Sequence, residues 1–310
     1  MDWFKHERSK MAETVTNNFN LPAPVMDMVA RNTYTQGRTD VNVTSFIGPP
    51  QLTSLKKKYK DQIVVDASDQ LYASMGNRIH SVLEGYGQRN DNVIVEEFLY
   101  TEDRGVTWGG HIDLREPSPE GHIISDYKTA ATYKVAKTLA GDHDGQWECQ
   151  LNCYAQLVRR NHPDIKIAGI QTVCFLRDWS KVKAADNPEY PQAGVVVVPL
   201  SLWSEQEAEV YIDERLALWQ DQEQRMDLGD PSISCTDEER WKKPDKWRVI
   251  FTKSGTTKRV FDNEEMAQDF VAQEKDGAKK FDIQVTRGLP LRCTYYCEAA
   301  PFCDQYKGES

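Results

Sequence analysis

Residues 122–130 read HIISDYKTA, and residues 109–116 just upstream read GGHIDLRE. Successive side chains of an extended segment alternate between faces. Asp126 and Lys128 therefore share one face of their strand, with Ile123, Ser125 and Tyr127 on the other. In the upstream strand Asp113 shares a face with His111, opposite Ile112 and Leu114. The intervening PSPEG (117–121) is a tight connection, which predicts an antiparallel hairpin. Pairing the two strands brings Asp113, Asp126 and Lys128 to one end of a sheet.

Outward from this pair the pattern stays regular. Leu71, Met75, Ile79, Val82 and Leu83 recur at helix spacing across residues 67–84, and VIVEEFLY (93–100) reads as a strand. Downstream, Trp147, Leu151, Tyr154, Ala155 and Val158 mark one face of a helix that Asn161-His162-Pro163 ends. Two more strands, GIQTVCFL (169–176) and GVVVVPL (194–200), precede a long helix opened by a Ser204/Glu207 capping box and running to about Arg225. Helix, three strands, helix, strand pair, helix predicts an α/β fold with a mixed central sheet flanked by helices.

The chemistry follows from the shared face. Two adjacent carboxylates repel unless something neutralises them, and a hard divalent cation such as Mg²⁺ or Mn²⁺ does so through oxygen ligands. Held there, the ion polarises a phosphoryl oxygen and activates water near neutral pH. A lysine two residues on, facing the same way, orients that water or stabilises charge on the phosphate. His80, on the preceding helix in GNRIHSVLE (76–84), is placed to complete the coordination, with Glu84 one turn further on the same face.

Gly76/His80/Glu84 on a helix, Gly110/Asp113 on a strand, Asp126/Lys128 on a strand and Gln150/Tyr154 on a helix occur in that order. This ordered set resembles the RecB-like branch of the PD-(D/E)xK nucleases, over roughly residues 70–200 and more loosely in the tail. DxK alone is common; four ordered motifs on the expected elements are specific. The resemblance implies a restriction-endonuclease-like fold and DNA as substrate. It implies that His80, Asp113, Asp126 and the Tyr127 carbonyl hold the metal, that Lys128 is catalytic, and that Gln150 and Tyr154 lie near the site and the DNA. The DxK acid is Asp126 rather than the commoner Glu, which the family pattern permits.

Each residue also has a plainer reading. A helical histidine is more often a satisfied core residue. Asp113 and Asp126 are poor strand formers after apolar runs, which weighs against simple strand-end polarity. Gln150 is equally a buried amide, Tyr154 a core ring, and His111 a polar strand residue.

The C-terminal quarter differs in character. WRVIF (247–251) and KRVF (258–261) flank a Ser254-Gly255 turn, followed by a helix in DNEEMAQDFVA with Asp262 and Glu265 as capping box and Phe261 and Met266 as hydrophobic staple. Around this ββα unit lie Cys235, Cys293, Cys297 and Cys303. Four thiolates suit tetrahedral Zn²⁺ or an iron–sulfur cluster, and the spacing is not the CxxC of most zinc sites. Some RecB-like nucleases, the AddB type and the CRISPR-adaptation exonucleases among them, staple their nuclease domain with a 4Fe-4S cluster on one distant and three C-terminal cysteines. Their distant cysteine precedes the nuclease motifs, whereas Cys235 follows them; a 4Fe-4S cluster is the expectation, with Zn²⁺ or no metal as the alternatives. Cys149, Cys153 and Cys174 read as small core residues.

The 310 residues, 39% hydrophobic and 28% charged, suit a soluble globular chain, divided as a helical lead-in (1–66), a nuclease core (67–230) and a cysteine-bearing extension (231–310). No apolar run reaches bilayer length, and MDWFKHERSK lacks a signal-peptide core, so a cytoplasmic location with no membrane is expected, virus-encoded origin included. The net charge of −10 argues against a global positive field, leaving local basic clusters as candidates for phosphate: Lys56–Lys58 with Lys60, Arg159 with Arg160, and Lys242 with Lys243, each more readily read as a solvated face. Trp108, Trp147 and Tyr154 are candidates for base stacking or for packing. The resulting expectation is an Mg²⁺- or Mn²⁺-dependent DNA exonuclease. The likeness to phage recombination exonucleases adds a recombinase or single-strand-annealing partner. The competing class is a non-catalytic DNA-binding or assembly module with a structural metal site. Against it stands the full set of like-charged residues, which a dead site has no physical need to hold together.

Overall fold

A computed structural model describes residues 14–30, 39–87, 89–90, 92–142, 145–230 and 232–308. The chain divides into two compact units, one ending at Ile233 and one beginning at Ser234. The first opens with β1 (Thr14–Thr16), α1 (Ala23–Ala30), β2 (Val41–Asn42), α2 (Val43–Phe46), α3 (Pro50–Lys58) and β3 (Val64–Asp66). Helix α4 (Leu71–Gly87) leads into β4 (Ile94–Asp103), β5 (Val106–Ser118) and β6 (Gly121–Ala130). Then come α5 (Thr132–Leu139), α6 (Gln146–Asn161), β7 (Ile167–Leu176), α7 (Lys181–Asp186), β8 (Val195–Leu200) and α8 (Glu205–Leu228).

Among the described residues the central sheet has six strands in the order β2-β5-β6-β7-β8, with β4 on the other edge of β5. Pairings β4–β5, β5–β6 and β7–β8 are antiparallel, while β2–β5 and β6–β7 are parallel. The fold is thus mixed α/β, with the hairpin expected from PSPEG formed by β5 and β6. The parallel β6–β7 pair needs a crossover, and α5 and α6 supply it. Helix α6 is buried without a break from Gln150 to Val158, because it packs against both the sheet and α8. It therefore has no wholly polar face for periodicity to reveal.

The core joins Ile112 and Ile124 of the sheet to Leu151, Leu157 and Val158 of α6 and to Ile212 and Leu216 of α8. Phe46 stacks on Trp108 at 5.1 Å, and the Arg215 and Trp219 side chains of α8 donate to the Phe46 carbonyl at 2.9 and 3.1 Å. The Ser204/Glu207 capping box forms as expected, and α8 ends three residues beyond the expected Arg225, at left-handed Gly229 (φ 75°). Helix α4 forms too, but Ser74 is its only buried described residue, and Met75 and Val82 are exposed.

The second unit contains β9 (Lys246–Phe251), β10 (Thr257–Phe261), α9 (Glu264–Gln273), α10 (Gly277–Lys280), β11 (Phe281–Thr286), α11 (Leu291–Tyr295), a 3-10 turn (Ala300–Phe302) and α12 (Asp304–Lys307). Its sheet has the order β10-β9-β11, so the expected ββα unit gains a third strand, FDIQVT. The cap of α9 differs from expectation by one residue. Asn263 accepts from the Met266 N–H at 2.8 Å, while Asp262 pairs with Lys246. With the register moved, Met266 is exposed, and Phe261 packs instead with Ala267 and with Phe270 at 5.4 Å.

Candidate active site

Strands β5 and β6 pair only from Leu114↔Ser125 to their turn; past Ser125 no rung of the ladder joins them. The Asp113 carboxylate fills the gap: the Tyr127 N–H donates to its Oδ2 at 2.7 Å. Asp126, almost fully buried, accepts from Gln150 Nε2 through Oδ1 at 3.0 Å, and its Oδ2 lies 2.6 Å from Lys128 Nζ. Gln150 Nε2 also donates to the Tyr154 hydroxyl at 3.4 Å.

Helix α4 carries His80 into this group. A Cβ at Gly76 would sit 3.3 Å from Thr129 Oγ1, so the glycine lets α4 approach β6 closely. His80 Nε2 then lies 3.2 Å from the Tyr127 carbonyl, and Nδ1 lies 3.4 Å from Asp113 Oδ1. Gly110 acts the same way on α6, since a Cβ there would meet the Tyr154 ring at 3.1 Å.

Glu96 is the residue the sequence reading missed. It lies opposite Asp113 in the β4–β5 register, between Val95↔Leu114 and Glu97↔Ile112, and its Oε1 is 3.8 Å from His80 Nδ1. Its backbone is left-handed at φ 50°, a conformation costing an L-residue about 1–2 kcal/mol. Glu84 lines the same cleft, yet it is Glu96 that groups with His80 and Asp113, the three offering ligand atoms within 4.8 Å of one another.

The cleft holds about 480 Å³, and Asp126, Lys128, Gln150 and Tyr154 line it together with that group. At its rim Tyr72 is exposed, with the Arg177 guanidinium 4.5 Å from its ring. Burial pushes the Asp126 carboxyl above the usual carboxylate range, against the pull of the Lys128 ammonium and with the Asp113 charge adding to it. Burial disfavours a charged His80, but the Asp113 and Glu96 carboxylates outweigh it and raise the imidazole to about 10.

With the cleft so arranged, a sequence model of the PD-(D/E)XK nuclease superfamily matches residues 88–304. The chain belongs to this superfamily. No curated protein matches. Among solved structures the chain is similar to one described as "Crystal structure of SSO0001", at 15% identity and a TM-score of 0.40, over 63% of this chain and 84% of that one. PD-(D/E)XK nucleases use divalent metals, and the residues present suit one: carboxylate oxygens with one imidazole nitrogen form a hard donor set. Glu96, Asp113 and Asp126 also put three carboxylates beside two cationic groups, Lys128 and protonated His80, an excess of negative charge that favours a cation.

Some of the alternative DNA-contact readings fall. Trp108 is fully buried, its Nε1 donating to Asp103 at 2.7 Å, so it offers no face to a base. Arg159 donates to the Trp203 carbonyl at 3.0 Å, and Arg160 pairs with Asp103 and Glu209. These arginines tie α6 to its neighbours and do not form a phosphate groove. Trp147 is partly buried beneath the Lys134 ammonium, 4.7 Å from its ring. Cys153 and Cys174 are core residues as expected.

Within the second unit, Cys235 and Gln305 exchange hydrogen bonds, Cys235 N–H to Oε1 and Nε2 to the Cys235 carbonyl, both 2.9 Å. This holds Cys235 near the Cys303 turn. Burial, then the Glu239 carboxylate, and after it the nearby Cys303, Cys293 and Cys297, push the Cys235 thiol up to about 12. All four thiols are unbridged.

Proposed function

We propose that this superfamily member is a RecB-like DNA exonuclease dependent on Mg²⁺ or Mn²⁺, with His80, Glu96, Asp113, Asp126 and the Tyr127 carbonyl as metal ligands. The observation that carries the reading is the meeting of Asp113, Asp126 and Lys128 in one cleft beneath His80. When bound, the ion supplies Lewis-acid polarisation of the scissile phosphate and lowers the pKa of water. The chain's own residues do the rest. Lys128, held by Asp126, presents its ammonium to the phosphate oxygens and to the attacking water. Gln150 fixes the Asp126 carboxylate, and Tyr154 anchors Gln150 in turn. Asp113 is oriented by the Tyr127 N–H. Water forms the new P–O bond, and the broken ester leaves a phosphomonoester and a hydroxyl.

Tyr72 and Arg177 at the rim supply an aromatic face and a cation to the incoming strand. Exonuclease action, and a recombination or phage-replication setting with a recombinase or annealing partner, rest on the likeness to end-processing relatives. In the second unit, Cys235, Cys293, Cys297 and Cys303 hold a structural 4Fe-4S cluster, with Zn²⁺ as the alternative; the paired hydrogen bonds by which Gln305 holds Cys235 beside the Cys303 turn support this. No described helix is long and apolar enough to cross a membrane.

The test compares linear and closed-circular DNA, single- and double-stranded, with Mg²⁺, Mn²⁺ or EDTA. Metal-dependent loss of linear DNA alone supports an exonuclease. Nicking of circles makes the chain an endonuclease, and no cutting of any form removes the nuclease reading.

A further inference from the structure

The second unit has an exposed feature that the cleft chemistry does not use. Trp241, Tyr295 and Tyr296 are 42%, 66% and 70% exposed. They form a continuous edge-to-face chain: Trp241 to Tyr296 at 5.5 Å and Tyr296 to Tyr295 at 6.4 Å between ring centres. The Arg292 guanidinium lies 5.6 Å from the Trp241 ring. Three large rings in contact at the surface leave apolar area in water that packing would normally remove.

The backbone holds this arrangement at a cost. Trp241 adopts a left-handed φ of 52°, an outlier for a bulky residue. The segment around it is laddered to the one before α11, with Lys243 N–H donating to the Leu289 carbonyl at 3.0 Å and Arg292 N–H to the Arg240 carbonyl at 3.0 Å. Both tyrosines sit in the three-residue span between Cys293 and Cys297, so whatever fixes those cysteines also fixes the rings.

Charge narrows the occupant. Residues 234–310 hold fourteen Lys and Arg against fourteen Asp and Glu, so the net charge of −10 belongs wholly to the first unit. Two of the acids near the rings are engaged: Asp237 pairs with Lys242 at 3.3 Å, and the Glu239 carboxylate accepts from the Thr236 N–H at 2.8 Å. The Arg292 guanidinium, which also donates to the Glu239 carbonyl at 3.1 Å, lies by the Trp241 face, and Lys243, two residues on in sequence, is exposed. Exposed rings with flanking cations suit ligands that offer flat π-faces on an anionic backbone. Duplex DNA hides its base faces by stacking, whereas single-stranded DNA presents them.

We infer that Trp241, Tyr295 and Tyr296 form a stacking platform for single-stranded DNA, distinct from the candidate catalytic cleft. The choice of DNA as the nucleic acid rests on the nuclease reading; the platform itself rests on the rings. The experiment measures anisotropy of a labelled oligothymidylate in EDTA, so that hydrolysis plays no part. The Tyr295→Ala/Tyr296→Ala protein, checked for unchanged melting temperature and metal content, should bind at least about tenfold more weakly. The Tyr295→Phe/Tyr296→Phe protein, which keeps the rings, should bind like wild type. An abasic strand of equal length should bind weakly and equally to all three.

A second measurement needs no variant. Photo-crosslinking of a bromouracil-containing strand to the wild-type protein should mark Trp241, Tyr295 or Tyr296. Absence of single-strand binding by wild type, undiminished binding by the alanine protein, equal losses on the abasic strand, or crosslinks only elsewhere would each overturn the platform. Ring-dependent binding without any DNA cleavage would instead sink the nuclease reading and leave the platform standing.

Discussion

Glu96 faces Asp113 across the β4–β5 ladder with a left-handed backbone, and both carboxylates point at the His80 imidazole. A strained non-glycine residue inside a strand, at the mouth of a charged cleft, is the kind of local cost that function maintains. Glycine adopts this φ freely, although it loses more entropy on folding. Glu96→Gly should therefore change stability in EDTA by no more than about 1 kcal/mol, the relieved backbone strain offsetting the lost His80 contact. The same variant should lose most of the thermal stabilisation that Mn²⁺ gives the wild type. Thermal melts with and without Mn²⁺ decide it; a destabilised variant with its Mn²⁺ response intact would remove Glu96 from the metal site.

The hairpin that makes this juxtaposition was only half legible in the sequence. HIISDYKTA and GGHIDLRE gave the shared face of Asp113, Asp126 and Lys128 by simple alternation, and the glycines of both motifs mark close approaches that the fold needs. Glu96 escaped because its partner register depends on the Arg104-Gly105 turn, with φ values of 51° and 78°. Arg-Gly is a weaker hairpin signal than Asn-Gly or Asp-Gly. Had the turn been read, counting back from it would have set Glu96 against Asp113. Arg159 and Arg160 failed for another reason: a charge count cannot tell an inward guanidinium with carbonyl or carboxylate partners from a solvated one. Two-residue β2 carries too little pattern for any periodicity to detect.

His80 links the site to pH. Its folded pKa of about 10 lies above the unfolded value of about 6.5. The stabilisation from its ion pairs is therefore fully present below about pH 6.5 and is lost as pH rises through about 10. In EDTA, the stability difference between wild type and His80→Ala should be largest near pH 6 and shrink toward pH 10. Binding of Mn²⁺ near neutral pH should release more protons from the wild type than from the variant, measurable by calorimetry in buffers of different ionisation enthalpy. A pH-independent difference would show that His80 is neutral in the fold.

Arg115, almost wholly buried, donates Nε and Nη2 to the Glu97 carboxylate, both at 2.8 Å. Burial raises the Glu97 carboxyl, but Arg115 and then His162 outweigh it and hold the group below the usual carboxylate range. That contribution is present above the unfolded pKa of about 4.3 and is lost as pH falls through the lowered folded value. Arg115→Leu should cost about 3–5 kcal/mol by stranding a buried charge, and Arg115→Leu/Glu97→Leu should recover much of it. Denaturant titration of the three proteins checks this; a double variant no better than the single one would mean that the pair stabilises through more than charge compensation.

Cys297→Ala tests the staple in the second unit. Binding of a metal by four thiolates is folding energy, on the order of 10 kcal/mol for structural zinc. The variant should lose its iron or zinc by elemental analysis, and proteolysis should attack residues 234–310 before the rest of the chain. Full protease resistance and an unchanged melting temperature would show that no metal staples this unit.

The most direct test of the central claim is the rate at which end-labelled DNA is degraded with Mn²⁺ by wild type and by Lys128→Ala. Both proteins should show a Mn²⁺-dependent rise in melting temperature, at least as large in the variant, since Lys128 is not among the proposed ligands and its charge opposes the cation. Wild type should degrade the DNA, and the variant should be slower by about 100-fold or more, the scale of losing one charge-stabilising group. Equal rates in the two proteins, or no degradation by a wild type that demonstrably binds Mn²⁺, would contradict the assignment of this cleft as a nuclease site.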